Sequence, residues 1–182
     1  MIIRALAAEN ILKYRTLRLT DLPERGIIAV SGENETGKSA IGEIICFALF
    51  GRTYALDPTR LRKLLHWGAP RGTVTIRFAV GGSEYEVQRQ LDGDGKESAR
   101  LSSGDQPEPP LARGPEAVND RLRRLLGFGF DEYIETFYLA QREITAPHPH
   151  SPTVKRLAGI SLLDRCARDL RQEVERDEQS LR

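Results

Sequence analysis

The chain has 182 residues, of which 27 are Lys or Arg and 26 are Asp or Glu, so its formal net charge is +1. With 40% hydrophobic residues it can bury a core of its own, and it is too apolar for a disordered protein. The charge balance excludes a polycationic DNA coat. The lack of a long apolar run or of a signal-peptide pattern predicts a protein that is neither secreted nor in a membrane.

The first thirty residues predict short strands. Residues 2–8 and 17–19 are mainly apolar, and a continuous apolar run over residues 27–30 follows a turn rich in Pro, Gly and charged residues. Such a run is typical of a strand that is buried on both faces.

A phosphate-binding motif comes directly after this run. Residues 32–39, Gly-Glu-Asn-Glu-Thr-Gly-Lys-Ser, match G-x-x-x-x-G-K-[ST] in full, and the apolar spacing that follows predicts a helix over residues 38–50 that ends at Gly51. Backbone N–H groups of such a loop wrap the β-phosphate, Lys38 reaches the β- and γ-oxygens, and the Ser39 hydroxyl ligates Mg²⁺. The sequence therefore predicts a site for a nucleoside triphosphate with its metal ion.

The arrangement around the motif separates two classes of P-loop protein. A small-molecule kinase usually begins with its P-loop strand, whereas here thirty residues precede the loop. Residues 73–80 and 84–88 alternate apolar and polar around a Gly-Gly turn, which predicts a β-hairpin, with a third strand near residues 99–101. A flanking antiparallel sheet favours an ABC-type head.

The rest of the chain predicts a loop, a helix and a final amphipathic segment. Residues 92–118 are rich in Gly, Ser, Pro and Asp and predict loop, and a helix is expected over residues 116–126. Apolar residues after position 160 follow a heptad spacing that a coiled coil and an ordinary amphipathic helix explain equally well; the context favours a coiled coil.

For several other side chains, the sequence supports a functional role only weakly. The basic residues Arg52, Arg60, Arg62, Lys63 and Arg71 either contact DNA phosphates or form a solvated face. Trp67 is expected to pack in the core or against the hairpin rather than to serve as a platform on which a base stacks. Asp131-Glu132 imitates the end of a Walker B strand, but two glycines nearby spoil the apolar run that a Walker B strand needs.

Metal and redox chemistry outside the phosphate loop is not indicated. His148 and His150 lie between prolines without a third ligand nearby, which favours a solvated loop. Cys46 and Cys166 have no CxxC partner, so we predict two idle thiols in a reducing cytoplasm.

These motifs resemble the N-terminal half of the ATPase heads of SMC-like proteins, above all the SbcC group of double-strand-break-repair ATPases. Residues 32–39 are similar to the family's G-x-N-x-[SA]-G-K-S loop, residues 61–69 to its LIRHGA segment, and residues 125–144 to the segment that holds the Q-loop glutamine, here Gln141. Residues 1–14 look like its opening strand and KNF turn. Ile11 and Leu12 depart from that turn, which leaves its nucleotide contact to Lys13 or Arg15.

The resemblance implies an α/β fold with a mixed sheet: the N-terminal lobe of an ABC-type P-loop head over residues 1–158, with an antiparallel β-hairpin subdomain, and the start of a coiled-coil arm over residues 159–182. It implies ATP and Mg²⁺ as cofactors, with Ser39 and Gln141 as metal ligands and Gln141 as the γ-phosphate sensor. The nucleotide contacts that it implies are Lys13, Asn34, Glu35, Thr36, Gly37, Lys38, Ser39, Ala40 and Gln141. It places the Walker B strand, the catalytic Glu and the signature motif beyond the coiled coil, so no catalytic residue is expected in this chain.

The resemblance also implies a function and partners. An SbcC-type ATPase couples ATP-driven engagement of two heads to DNA binding and double-strand-break repair. The implied partners are DNA, a second copy of the head, the C-terminal lobe of the same protein and an SbcD-like metallophosphoesterase nuclease, in the cytoplasm at the nucleoid and not at a membrane. The alternatives are an SMC- or RecN-type DNA-tethering ATPase without a nuclease, and an anti-phage defence ATPase with the same head.

Overall fold

The computed structural model describes residues 1–138 and residue 170. The chain divides into two compact units, Met1–Phe130 and Asp131–Arg182. In the part of the chain that is described, no helix is long and apolar enough to cross a membrane.

Several sequence predictions fall outside the described residues. They concern Gln141, the His148 and His150 pair, Cys166 and, apart from Leu170, the coiled-coil arm over residues 159–182. The predicted arm and its boundary stay predictions.

Residues 1–138 form six strands, three α-helices and one 3₁₀ helix. In chain order these are β1 (Ile2–Ile11), β2 (Tyr14–Leu19), α1 (Lys38–Phe50), the 3₁₀ helix (Pro58–Leu64), β3 (Arg71–Val80), β4 (Ser83–Asp92), β5 (Glu97–Ser103), β6 (Ala112–Arg113), α2 (Pro115–Leu126) and α3 (Phe130–Thr136).

The strands form one sheet in the order β2-β1-β3-β4-β5-β6, and every neighbouring pair is antiparallel. The predicted hairpin is confirmed: β3 and β4 pair from Arg71↔Asp92 to Val80↔Ser83. Gly81 and Gly82 between them have φ values of 59° and 84°, the positive values that a tight two-residue hairpin turn favours.

The core lies between this sheet and α1, whose predicted bounds and glycine stop are confirmed. α1 packs against β1, β3 and β4. Its side chains Ile44, Phe47, Ala48 and Leu49 are fully buried. Each large apolar side chain buried in this way stabilises the fold by roughly 1.5–3 kcal/mol. The helix that follows the phosphate motif is therefore fixed to the sheet by its carboxyl-terminal half.

The strand predicted over residues 27–30 is wrong. These residues belong to no strand, and Ile27, Ile28 and Val30 are 96%, 53% and 49% exposed. A strand that is buried on both faces needs neighbouring strands, and within residues 1–138 none pairs with this run. For the same reason the mixed sheet that the sequence suggested is not formed by the described strands.

Two further predictions differ from the structure, one for residues 92–118 and one for Trp67. The loop expected over residues 92–118 is interrupted by β5 and β6, because Ala99 and Leu101 alternate inward among polar residues. β5 confirms the third strand predicted near residues 99–101, and α2 confirms the helix predicted over residues 116–126. Trp67, expected to be packed, is 98% exposed, since Leu64 takes the buried position and the turn after it directs Trp67 to solvent.

The rejection of Asp131-Glu132 as a Walker B motif agrees with the structure. The residues lie in the first turn of α3, which begins at Phe130. A Walker B acid follows a buried strand, and this segment is helical.

Thiol reactivity tests the packing of α1. Cys46 is fully buried, and burial, aided by the negative charge of Glu43, raises the pKa of its thiol to about 12. At about pH 8 only roughly one such thiol in ten thousand is ionised, so we expect the folded Cys166→Ser variant not to react with Ellman's reagent. The same variant should react fully once denatured. Rapid reaction of the folded variant would show that α1 is not packed as described.

Candidate nucleotide-binding site

The candidate phosphate loop, residues 32–39, leads directly into α1. Gly37 precedes the helix, no side chain caps the first turn, and that turn carries no acidic residue. The first N–H groups of the helix therefore have no side-chain acceptor, and the positive end of the helix dipole faces the loop. An anion is the ligand that such an arrangement attracts.

Gly37 is required by both its conformation and its neighbour. Its φ is 103°, in the left-handed region that side chains disfavour, and a Cβ there would lie 3.2 Å from ring atoms of Tyr14. The Tyr14 hydroxyl donates a hydrogen bond to the Gly37 carbonyl at 3.1 Å. The backbone before α1 thus contacts β2 directly, and a Cβ at Gly37 would require Tyr14 to move by a few tenths of an ångström.

Lys38 is held by the loop that it closes. Its ammonium donates to the carbonyls of Gly32 at 2.8 Å and Glu33 at 2.5 Å. The Thr36 hydroxyl also donates to the Glu33 carbonyl, at 2.9 Å. The positive charge therefore lies inside the curve of the loop, where a phosphate would meet it.

A second lysine supports the loop from outside. Lys13, in the turn between β1 and β2, donates from its ammonium to the Glu35 carbonyl at 2.6 Å. Of the two residues that the sequence offered for this role, Lys13 contacts the loop, whereas no hydrogen bond from the Arg15 side chain to it is observed within residues 1–138.

The other predicted site residues that the structure describes lie in the loop or in the first turn of α1 and differ in their contacts. Ser39 is exposed in the first turn of α1, and the Ala40 N–H donates to the Gly37 carbonyl at 2.9 Å. Asn34 is exposed and makes no side-chain hydrogen bond within the described part of the chain. Gln141 lies outside the described residues, so its distance from the loop stays a prediction.

The residues present fit a triphosphate and Mg²⁺. The loop offers backbone N–H groups, an ammonium inside its curve, a glycine whose positive φ disfavours a side chain, and the exposed hydroxyl of Ser39 as an oxygen ligand for a hard cation. The acidic side chains in the loop, Glu33 and Glu35, are exposed to solvent. Anion binding therefore depends on the backbone and on Lys38.

Sequence reasoning missed the residues that anchor α1. Glu43 is buried and its Oε2 accepts from the N–H groups of Tyr54 at 2.9 Å and Ala55 at 3.1 Å. These two hydrogen bonds fix the segment that follows α1. A lone Glu in an apolar helix face is the signal that could have identified it.

Arg89 of β4 anchors the far end of the same helix. It is fully buried, and its guanidinium donates to the carbonyls of Ala48 at 2.8 Å and Leu49 at 3.2 Å. It also donates to Asn119 Oδ1 at 2.6 Å and pairs with Glu97. One cation thus joins the carboxyl end of α1, which carries the negative end of the helix dipole, to β4, β5 and α2.

Comparison with known proteins places these features in a family. The family model described as "AAA domain" matches residues 5–179. A "DNA double-strand break repair Rad50 ATPase" from Methanocaldococcus jannaschii is 29% identical over 190 residues, covering 100% of this chain and 18% of that protein. One of the subunits of the nuclease SbcCD from Deinococcus radiodurans is 28% identical over 147 residues, covering 73% of this chain and 15% of that protein.

A solved structure has the same fold. It comes from a study of ATP-driven dimerization and DNA-stimulated activation of SMC ATPases, and it superposes with a TM-score of 0.61 at 22% identity, covering 86% of this chain and 96% of that one. The fold class and the resemblance predicted from the sequence are confirmed by these matches. The chain spans less than a fifth of the length of the two curated relatives.

Proposed function

This chain belongs to the AAA domain family, and we propose that it is the ATP-binding lobe of an SMC-like ATPase of the SbcC type. The observation that carries the proposal is the loop before α1, with the ammonium of Lys38 inside its curve at 2.8 Å from the Gly32 carbonyl. The matched relatives, a repair ATPase and part of a nuclease, support the same class.

The residues of the loop have separate tasks in binding. The N–H groups at the start of α1 bind phosphate oxygens, and Lys38 exchanges its two carbonyl partners for β- and γ-oxygens. Ser39 holds the metal ion, and Lys13 keeps the loop in shape through the Glu35 carbonyl. When bound, MgATP supplies the phosphoanhydride bond whose cleavage drives such machines. Gln141 is proposed as the residue that reads the γ-phosphate through the metal.

We further propose that the C-terminal lobe of the same protein completes this head. Ile27 is 96% exposed beside an open apolar groove of about 460 Å³, whose lining includes Ile28, Val30, Ile41 and Ile45. Apolar side chains that are exposed together beside an apolar groove favour an interface with another lobe. The completing lobe would add strands next to residues 27–30 and supply the Walker B strand, the catalytic Glu and the signature motif.

The partners follow from the same assignment. Two heads would close on ATP, each capping the nucleotide of the other, and the closed pair would bind DNA and direct an SbcD-like nuclease to double-strand breaks. We place the assembly in the cytoplasm, at the nucleoid. A DNA-tethering ATPase of the SMC or RecN type is the second candidate, favoured by the structural match to an SMC ATPase. An adjacent metallophosphoesterase gene would favour the first.

Calorimetric titration tests the proposal at its first step. ATP added to the chain in the presence of Mg²⁺ should release heat with a single site per chain, and chelation of the Mg²⁺ should weaken binding. Hydrolysis should appear only after a C-terminal lobe is added. A chain that is folded by circular dichroism and gives no heat with MgATP would contradict the assignment.

A further inference from the structure

Trp67 is the only tryptophan in the chain, and 98% of its side chain is exposed. A buried tryptophan would remove roughly 150–250 Å² from water, so in this position the ring does little for the fold. Single exposed apolar residues are common on protein surfaces. Trp67 differs from them in how firmly it is held and in the charges around it.

The backbone that leads into Trp67 is fixed to β1 and to the β1–β2 turn. The Leu12 N–H donates to the Leu64 carbonyl at 2.6 Å, and the His66 N–H donates to the Asn10 carbonyl at 2.9 Å. His66 Nδ1 lies 2.8 Å from the Leu12 carbonyl oxygen. The ring therefore stands on a segment pinned to the β1–β2 turn. On such a backbone, a ligand that stacks on the ring has only the two side-chain torsions of Trp67 to order.

Cations flank the ring on both sides in the sequence. Arg60, Arg62 and Lys63 precede it in the 3₁₀ helix, Arg71 follows it at the start of β3, and all four are exposed. Arg62, Lys63 and Arg71 form no ion pair among the residues that the structure describes. Arg52 is grouped with these cations in the sequence analysis, but its guanidinium stacks on another residue: it lies 4.4 Å from the centre of the Phe130 ring.

The acidic groups around this segment do not cancel its charge. No Asp or Glu occurs between residues 58 and 71. Asp57 interacts with Arg60 and accepts from the N–H and hydroxyl of Thr59. Asp92, which pairs with Arg71 in the hairpin register, accepts from two backbone N–H groups of its own turn, and Asp94 lies in that turn. An exposed aromatic face with unpaired cations remains.

We propose that Trp67 and the cations Arg60, Arg62, Lys63 and Arg71 bind single-stranded DNA, with an unpaired base on the indole ring and the neighbouring phosphates on the cations. Base stacking on an exposed aromatic ring, together with a cationic track for the backbone, is how proteins hold single strands without reading their sequence. This inference rests on the proposed function, which already includes DNA binding, and it adds which form of DNA this lobe contacts.

Duplex DNA and a lipid surface fit this site less well, whereas a mononucleotide has to be distinguished from DNA by experiment. The bases of duplex DNA are stacked inside the helix, so a duplex would engage the cations alone. Insertion into a lipid surface needs an apolar face several residues wide, and the neighbours of Trp67 are His66, Gly68, Ala69 and Pro70. A mononucleotide shares the chemistry of base and phosphate, since the β1–β2 turn that pins this segment also reaches the phosphate loop through Lys13. The experiment must therefore separate ATP from DNA.

Because the chain has one tryptophan, its emission reports on this site alone. We expect a thymidine oligonucleotide of about a dozen nucleotides, long enough for such sites, to quench the emission of the 182-residue chain without ATP. A duplex of equal length should quench it less. With a labelled oligonucleotide, Trp67→Ala should lower the affinity about tenfold, while Trp67→Phe should retain most of it.

Matched controls make the result specific. Leu111→Ala removes another exposed apolar side chain and should leave the affinity unchanged. Lys63→Ala should weaken single strand and duplex alike and reduce the salt dependence of binding. Equal affinity of Trp67→Ala and the parent chain would overturn the proposal, and so would emission that responds to anionic lipid vesicles but not to the oligonucleotide.

Calorimetry with MgATP separates this inference from the proposed function. If Trp67→Ala loses the oligonucleotide and still binds MgATP, both proposals hold. If MgATP alone quenches the emission, and Trp67→Ala weakens MgATP only, the ring binds the base of the nucleotide and the DNA site is wrong. If MgATP does not bind to the parent chain, the nucleotide assignment fails regardless of the DNA result.

Discussion

Replacing Lys38 with alanine is expected to weaken MgATP binding by at least about a hundredfold. A hydrogen bond to a charged group contributes roughly 1.5–3 kcal/mol, and Lys38 would make such bonds to two phosphate groups. Since each 1.4 kcal/mol corresponds to about a tenfold change in Kd, the loss of both bonds exceeds about two orders of magnitude. The measurement is calorimetric titration with ATP and Mg²⁺.

Lys96→Ala is the matched control for this change. Lys96 is exposed, in the turn between β4 and β5, and only its backbone is hydrogen-bonded in the described structure. The control should bind MgATP like the parent chain. The free energy of unfolding of Lys38→Ala should remain close to that of the parent, because Lys38 contacts only two carbonyls of an exposed loop. Unchanged MgATP binding by Lys38→Ala would refute the phosphate loop.

The parts of the fold that the sequence predicts well are those that neighbouring residues determine. α1 follows from a helical apolar spacing with a glycine stop, and the β3–β4 hairpin follows from alternation around two glycines. In both cases the interacting positions lie close together in the chain. The loop of residues 32–39 is predictable for the same reason, since its motif, its helix and its glycine are contiguous.

The failures come from partners that are distant in sequence. Residues 27–30 have the composition of a buried strand, yet their burial depends on strands that residues 1–138 do not provide. Tyr14 reaches the loop across 23 positions, and Arg89 reaches Ala48 across 41. No local pattern encodes such contacts. Trp67 shows the converse error, because composition alone places a large apolar residue in the core.

Arg89 also shows why the loop before α1 has a defined position. The helix begins at Lys38, inside the phosphate loop, and its other end is tied by Arg89 to three further elements. A rigid helix fixed at its carboxyl end holds its amino end in place. Burial lowers the pKa of Arg89, and the neighbouring Glu97 opposes this shift.

Replacing Arg89 with methionine should therefore cost about 3–5 kcal/mol of unfolding free energy, a large share of the 5–15 kcal/mol typical of a domain. The change leaves the Glu97 carboxylate, whose side chain is only 11% exposed, without its cation. It also leaves the Ala48 carbonyl and the Asn119 amide oxygen without the donor they have now. Urea denaturation followed by circular dichroism measures the loss.

The adjacent strand provides a control of the same chemistry. Arg77 of β3 bonds Glu86 at 2.7 Å, but its side chain is 65% exposed, so Arg77→Met should cost at most about 1 kcal/mol. Adding Glu97→Gln to Arg89→Met should recover part of the loss, because the second change removes the uncompensated charge. An Arg89→Met variant no less stable than Arg77→Met would show that the carboxyl end of α1 is not held by this cation, and the rigid placement of the phosphate loop would then need another cause.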